Sequence, residues 1–249
     1  MTEPAGARLR ALHVPGTPLL LPNAWDAASA RLVAAAGFPV VATGSAAVAE
    51  SLGYADHEGA PAAEMFAAAA RIARAVDVPV TVDVEAGYGL GPAELADRLA
   101  EAGAAGCNLE DSDHDGGGLV DTTRQADRIA GLRAADPDLV INARVDVFMH
   151  AGDQHTVLRE GVARAEAYLA AGADCVYPIL VREADVLAAF VGAVRPAAVN
   201  ALYLPDGADL AALGALGVAR ISLGPGLFRI TQSYVEKSLR RLADGVAPY

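Results

Sequence analysis

The sequence predicts a single (β/α)8 barrel of the TIM type, and three observations carry that expectation. Short apolar, β-branched runs alternate eight times with Ala/Leu/Arg/Glu-rich amphipathic stretches. Phrases such as AAAGFPV, AEAGAAG, LAAGADC and ALGVARI place a glycine where a helix must stop before the next strand. Polar side chains recur at the C-terminal ends of the apolar runs, where barrel enzymes build their sites.

Taken in order, the expected strands are 19–22, 40–43, 80–85, 106–110, 139–144, 174–178, 198–200 and 219–223. The helical stretches between them are 26–36, 62–75, 92–102, 122–135, 155–171, 182–191 and 208–216, and a last one runs from about 227 to 242. No linker or low-complexity tract divides the chain, so residues 1–249 read as one barrel domain with a short C-terminal helical extension.

Composition narrows the function. Hydrophobic residues make up 53% of the chain without a long unbroken apolar run, and the first residues lack a basic segment followed by an apolar one. The expectation is a cytoplasmic protein with no membrane partner. Net charge is −12, from 31 acidic and 19 basic residues, with no Lys/Arg run to track phosphates, which argues against nucleic acid. Cys107 and Cys175 are far apart and read as packed thiols rather than a disulfide or a metal site.

The most informative stretch is Val80 to Gly89, VTVDVEAGYG. Strand side chains two apart share a face, so Asp83 and Glu85 are expected to project together while Val82 and Val84 pack the other way. Two neighbouring carboxylates repel, and a cation relieves them. The device returns in AGCNLED, with Asn108 and Glu110 on one face, and in LVINARVD, with Asn142 and Arg144. Collecting the strand ends adds Asn23, Trp25, Gly44, Ser45, Tyr177 and Asn200. In so acidic a chain an anionic substrate needs local compensation, which Arg144 and a bound cation would supply.

The segments LPNAWDAASARLV, ATGSAAVAESLGYAD, VDVEAGYG, NLEDS, INARVD and ARISLGPGLFR resemble, in order, the isocitrate lyase/phosphoenolpyruvate mutase superfamily. The resemblance implies a phosphoenolpyruvate mutase-like barrel that acts through a pyruvate-like enolate. It implies Mg2+, with Mn2+ as a substitute, held directly by Asp83, with Glu85, Glu110 and Asp56 on its waters. Trp25, Ser45 and the backbone of Gly44 to Ala46 would hold the substrate carboxylate or enolate oxygen, with Arg144 balancing its charge and Tyr177 and Asn200 as pocket walls.

The departures bear on the reaction. Family lyases of isocitrate-like substrates carry a Lys-Lys-Cys-Gly-His type loop after the fourth strand. Here that position reads SDHDGGGLVDTT, residues 112–123, without Cys or Lys. The longer loop of mutase and phosphonopyruvate hydrolase relatives is also missing. His114 is then either a proton donor or a solvated loop residue.

The expected function is therefore a Mg2+-dependent carbon–carbon lyase or decarboxylase of a small 2-oxo or 2-hydroxy dicarboxylate. The alternatives are a phosphonopyruvate mutase or hydrolase, and a silent 2-oxo-acid binder. Beyond its small carboxylate substrate, the expected partner is a second copy of the chain, as a dimer or tetramer formed through the last helices.

Overall fold

A computed structural model describes residues 3–248, leaving Met1, Thr2 and the terminal Tyr249 outside the described residues. Nine parallel strand segments form its centre: β1 (Leu19–Leu21), β2 (Asn23–Ala24), β3 (Val41–Thr43), β4 (Val80–Asp83), β5 (Gly106–Leu109), β6 (Val140–Val145), β7 (Cys175–Pro178), β8 (Ala198–Leu202) and β9 (Arg220–Ser222). Their order is β1-β9-β8-β7-β6-β5-β4-β3-β2. β1 and β2 are one strand interrupted at Pro22, which has no N–H to give a ladder. The first half pairs with β9, Leu19 opposite Arg220, and the second with β3, Asn23 opposite Ala42. Both edges are thereby paired, and the predicted eight-stranded barrel closes.

The helices are α1 (Ala5–Ala11), α2 (Ala27–Ala35), α3 (Ser45–Leu52), α4 (Ala62–Ala73), α5 (Pro92–Ala102), α6 (Thr122–Ala135), α7 (Gln154–Ala170), α8 (Ala184–Val194), α9 (Leu210–Ala215) and α10 (Gly226–Ala243). None is long and apolar enough to cross a membrane. Sequence reading anticipated all but α1 and α3, which at 7 and 8 residues are too short to show a helical period.

Alternation sorts each strand between two layers. Val82, Cys107, Leu109, Ile141 and Ala143 face outward and join Leu95, Leu99, Ile129 and Leu132 of the helices in the main core. The opposite set lines the barrel. At its lower end Leu9 of α1, fully buried, packs with Leu19, Leu21, Val40, Ala42, Ala105 and Val140, so α1 plugs the barrel. Gly106 makes room for that plug, since a Cβ there would meet a Leu9 methyl at 2.9 Å and the Val140 carbonyl oxygen at 2.7 Å. Asp174 ties the plug down: it accepts from Arg10 Nε at 2.6 Å, Arg133 Nη2 at 2.5 Å and the Ile141 amide at 2.8 Å. Higher up, the lining turns polar, and this decides where chemistry can occur.

One expectation about register needs correction. β4 ends at Asp83, and Glu85 has a left-handed backbone with φ of 49°. Strand alternation therefore does not carry Glu85 to the face of Asp83. It arrives by a turn, as the contacts below show.

Candidate active site

Asp83 is the hinge of the site. Its amide donates to Thr43 Oγ1 at 2.9 Å, and its Oδ2 accepts from the Ser45 amide at 3.1 Å. Ser45 opens α3, whose N-cap Gly44 has no side chain to offer. The Asp83 carboxylate thus caps that helix from a neighbouring strand, where an anion meets exposed N–H groups and the positive end of the helix dipole. This brings the Gly44 to Ala46 segment beside Asp83. Asn23 braces them: its Nδ2 donates to the Thr43 carbonyl at 2.8 Å and its Oδ1 accepts from the Leu223 amide at 2.9 Å.

Glu85 is held by two residues that sequence reading missed, Glu58 and Tyr88. Its Oε2 accepts from the Glu58 amide at 2.5 Å and its Oε1 from the Tyr88 hydroxyl at 3.0 Å. Glu58 Oε1 in turn accepts from the Tyr88 amide at 2.5 Å. His57, Glu58, Glu85 and Tyr88 all have positive φ, a conformation that costs a non-glycine residue about 1 kcal/mol or more. The reciprocal bonds zip the two loops together and hold that geometry. Burial, with Asp83 and Asp56 nearby, pushes the Glu85 carboxyl up to about 7. One oxygen of Asp56, Oδ1, is buried without a partner among the described residues.

Glu110 follows β5, and its amide donates to the Glu85 carbonyl at 3.0 Å. Its two carboxylate oxygens take two different partners, His114 on Oε1 and Arg144 on Oε2. Burial raises the Glu110 pKa against the pull of both partners. His114 is therefore part of the site, its side chain only 14% exposed. Its pKa is raised, chiefly by the hydrogen bond to Glu110. The His57 ring lies 5.3 Å away from it, centroid to centroid.

Arg144, buried at the end of β6, is gripped by Asp146, a residue not singled out from sequence. Ser112 Oγ donates to Asp146 Oδ2, and Asp111 Oδ1 accepts the Asp146 amide at 2.8 Å. Asp111 is itself fixed on Oδ2 by Tyr168 at 2.6 Å and Arg164 at 3.0 Å, both from α7. The signal for Asp146 was the Arg-x-Asp spacing at a strand end.

Trp25 is half-buried, its ring edge-on to Phe228 at 5.3 Å and against the cluster containing Val48, Ala60 and Met65. Tyr177 and Asn200, the expected pocket walls, lie deep in the barrel. They are 4% and 0% exposed, joined through Ser222 Oγ at 3.3 and 3.2 Å inside the barrel. Cys107 points into the helix layer, as its register predicts, and burial pushes its thiol up to about 12.

Among the described residues no three acidic, histidine or cysteine side chains converge as a ready-made metal cage. Mg2+ does not require one, because it binds through one or two carboxylates and keeps several waters. The unpartnered Asp56 Oδ1 and the proton-seeking Glu85 mark uncompensated negative potential beside Asp83, and this acidic mouth fits a hard cation.

The comparisons with known proteins agree with this architecture. An uncharacterized protein of Mycobacterium tuberculosis strain H37Rv is 36% identical over 234 residues, covering 94% of this chain and 88% of its own length. A crystal structure of a provisionally assigned phosphonomutase from Burkholderia cenocepacia J2315 superposes with a TM-score of 0.90 at 43% identity, over 96% of this chain and 100% of that one. An oxaloacetate acetylhydrolase bound to its product oxalate gives a TM-score of 0.87 at 26% identity, over 99% and 90%. The 2-methylisocitrate lyase of Bacillus subtilis strain 168 is 32% identical, over 71% of this chain and 60% of its own. The family model described as phosphoenolpyruvate phosphomutase matches residues 9–243, and the chain belongs to that family, within the isocitrate lyase/phosphoenolpyruvate mutase superfamily.

Proposed function

We propose that this protein is a Mg2+-dependent carbon–carbon lyase or decarboxylase of a small 2-oxo or 2-hydroxy dicarboxylate, acting through a pyruvate-like enolate. The observation that carries the reading is the convergence of Asp83, Glu85, Glu110 and Arg144 at one end of the barrel. Relatives named as lyases and an acetylhydrolase of such acids support it.

Asp83 would hold the metal, with Glu85, Glu110 and Asp56 on its waters. When bound, Mg2+ supplies Lewis-acid stabilisation of the developing enolate oxygen. The protein's own groups do the rest. Asp146 and Glu110 engage Nε and Nη2 of Arg144, which leaves Nη1 as the edge for a substrate carboxylate. The Ser45 amide is committed to Asp83, so its hydroxyl and the following amides remain for the pyruvyl unit, against the Trp25 ring. In a 2-oxo acid, breaking the bond from C3 to its leaving group sends the electron pair toward the C2 oxygen, and the enolate then takes a proton at C3. In a 2-hydroxy acid the hydroxyl proton leaves as the C2–C3 bond breaks, C2 becomes a carbonyl, and the pair left on C3 takes a proton. His114, hydrogen-bonded to Glu110 at the mouth, is the group assigned to move that proton.

Deuterium exchange at C3 of pyruvate or 2-oxobutyrate tests the shared intermediate without knowing the leaving group. The expected result is Mg2+-dependent incorporation, suppressed by oxalate and lost in Arg144→Ala. Oxalate binding without exchange would instead favour a silent 2-oxo-acid binder. The likeness to the provisionally assigned phosphonomutase at 43% identity keeps a second reading, and phosphate release or transfer from phosphonopyruvate would select it.

A further inference from the structure

Beneath the mouth lies an arginine that no step above uses. Arg220, on β9, is 1% exposed, yet its guanidinium makes a single side-chain bond, from Nη2 to Asn108 Oδ1 at 2.9 Å. Its Nε and Nη1 have no partner among the described residues. Among the other buried or half-buried arginines only Arg128 also lacks a carboxylate, and it is satisfied instead by the Ala86 and Leu90 carbonyl oxygens. Arg144, Arg164, Arg133 and Arg10 each meet a carboxylate within 3.0 Å. A buried charge without a counterion is expensive, and a fold needing only volume there would do better with an apolar side chain.

Its position gives the charge a target. Asn108 Oδ1 also accepts from Asn142 Nδ2 at 2.9 Å, so the amide is pinned from two sides. Asn108 is the register partner of Asp83 on the adjacent strand, one strand spacing or about 5 Å away. On the other side Arg220 is the register partner of Asn200, which leads through Ser222 to Tyr177. The guanidinium therefore lies inside the barrel beneath the candidate site, one hydrogen bond from the register partner of the residue expected to hold the metal.

We propose that Arg220 is a positioning residue for the anionic substrate: an unpaired cation inside the barrel that favours binding of a 2-oxo-acid anion and tempers the grip of the acidic mouth on its metal. This rests on the reading of the mouth as a metal and 2-oxo-acid site. A structural arginine would weaken both ligands when removed, whereas a charge acting through space must move them in opposite directions.

Isothermal titration with Mg2+ alone, and with oxalate at saturating Mg2+, tests it in the full chain. In Arg220→Met the Mg2+ affinity should rise about fivefold and the oxalate affinity fall about tenfold, as expected for one charge in a partly screened interior. Arg220→Lys should stay within about threefold of wild type on both. Arg220→Gln, which keeps a donor for Asn108, provides the neutral variant if the methionine form does not fold. Unchanged affinities in the neutral variant, or a parallel loss of both, would overturn the proposal. Wild-type protein that binds neither probe would overturn the underlying site reading instead, and Arg220's role with it.

Discussion

Asp146 grips Arg144 through both carboxylate oxygens, Oδ1 to Nε at 2.6 Å and Oδ2 to Nη2 at 2.7 Å. Such a fork fixes the plane of a guanidinium as well as its charge. Arg144 is thereby held with one edge committed and one edge available, before any substrate arrives. Asp146→Asn should leave the charge of Arg144 but loosen that plane. Oxalate affinity by calorimetry is expected to fall about tenfold, as loss of a charge-assisted bond implies. Unchanged affinity would assign the orientation of Arg144 to Glu110 instead.

Removing Asp83 separates metal binding from folding. Asp83→Ala should abolish Mg2+-dependent oxalate binding. It also deletes the acceptor at the start of α3, which costs about 1 kcal/mol, offset by relief of repulsion with Glu85. Oxalate titration and urea denaturation measure the two effects, and retained Mg2+-dependent oxalate binding would move the metal elsewhere.

Glu85 makes stability depend on pH. Its carboxyl is raised from an ordinary 4.5 to about 7, so the folded state holds the proton more tightly than the unfolded one. Stability is then highest below the unfolded value and is lost as pH rises through the folded one. In metal-free protein the loss from this group is about 3 kcal/mol, spread between roughly pH 4.5 and pH 7. Urea denaturation in EDTA should show Glu85→Gln gaining on wild type by that order between pH 5 and pH 8. Equal pH profiles for the two proteins would refute the shift.

Cys107 is inert by placement. Fully buried among helix-facing residues, with its thiol pushed up to about 12, it is no acid/base for the mouth. Cys107→Ala should leave C3 exchange within a few fold and cost about 1 kcal/mol for the small cavity. Lost exchange with an intact circular dichroism spectrum would contradict the register of β5.

The last helix makes an assembly prediction. α10 buries only Phe228, while Ile230, Tyr234, Leu239 and Leu242 are between 53% and 67% exposed along it. A homo-oligomer that covers this stripe is expected by light scattering at micromolar concentration, and Tyr234→Glu with Leu239→Glu should dissociate it. A wild-type monomer at that concentration would refute the expectation.

Eight strands, most helices, and the convergence of Asp83, Glu110 and Arg144 were legible because they rest on local periodicity. Residues two apart on a strand share a face, and a barrel gathers the strand ends at one rim. The rule stops where the strand stops. Glu85 lies past that point, and its left-handed turn depends on Glu58 and Tyr88, which reach it across 27 and 3 positions of sequence. Likewise Asp111, Asp146 and Arg164 form a network only because α7 packs against β6, and the plug helix α1 only because Gly106 lets Leu9 approach. Sequence by itself determined which residues carry charge and on which side of each strand they stand. Tertiary structure decided who meets whom: that His114 is bound to Glu110 rather than solvated, and that Arg220 lies buried without a carboxylate among the described residues. The physical reason is that pairing and desolvation are set by distance in space, which periodicity along one element does not encode.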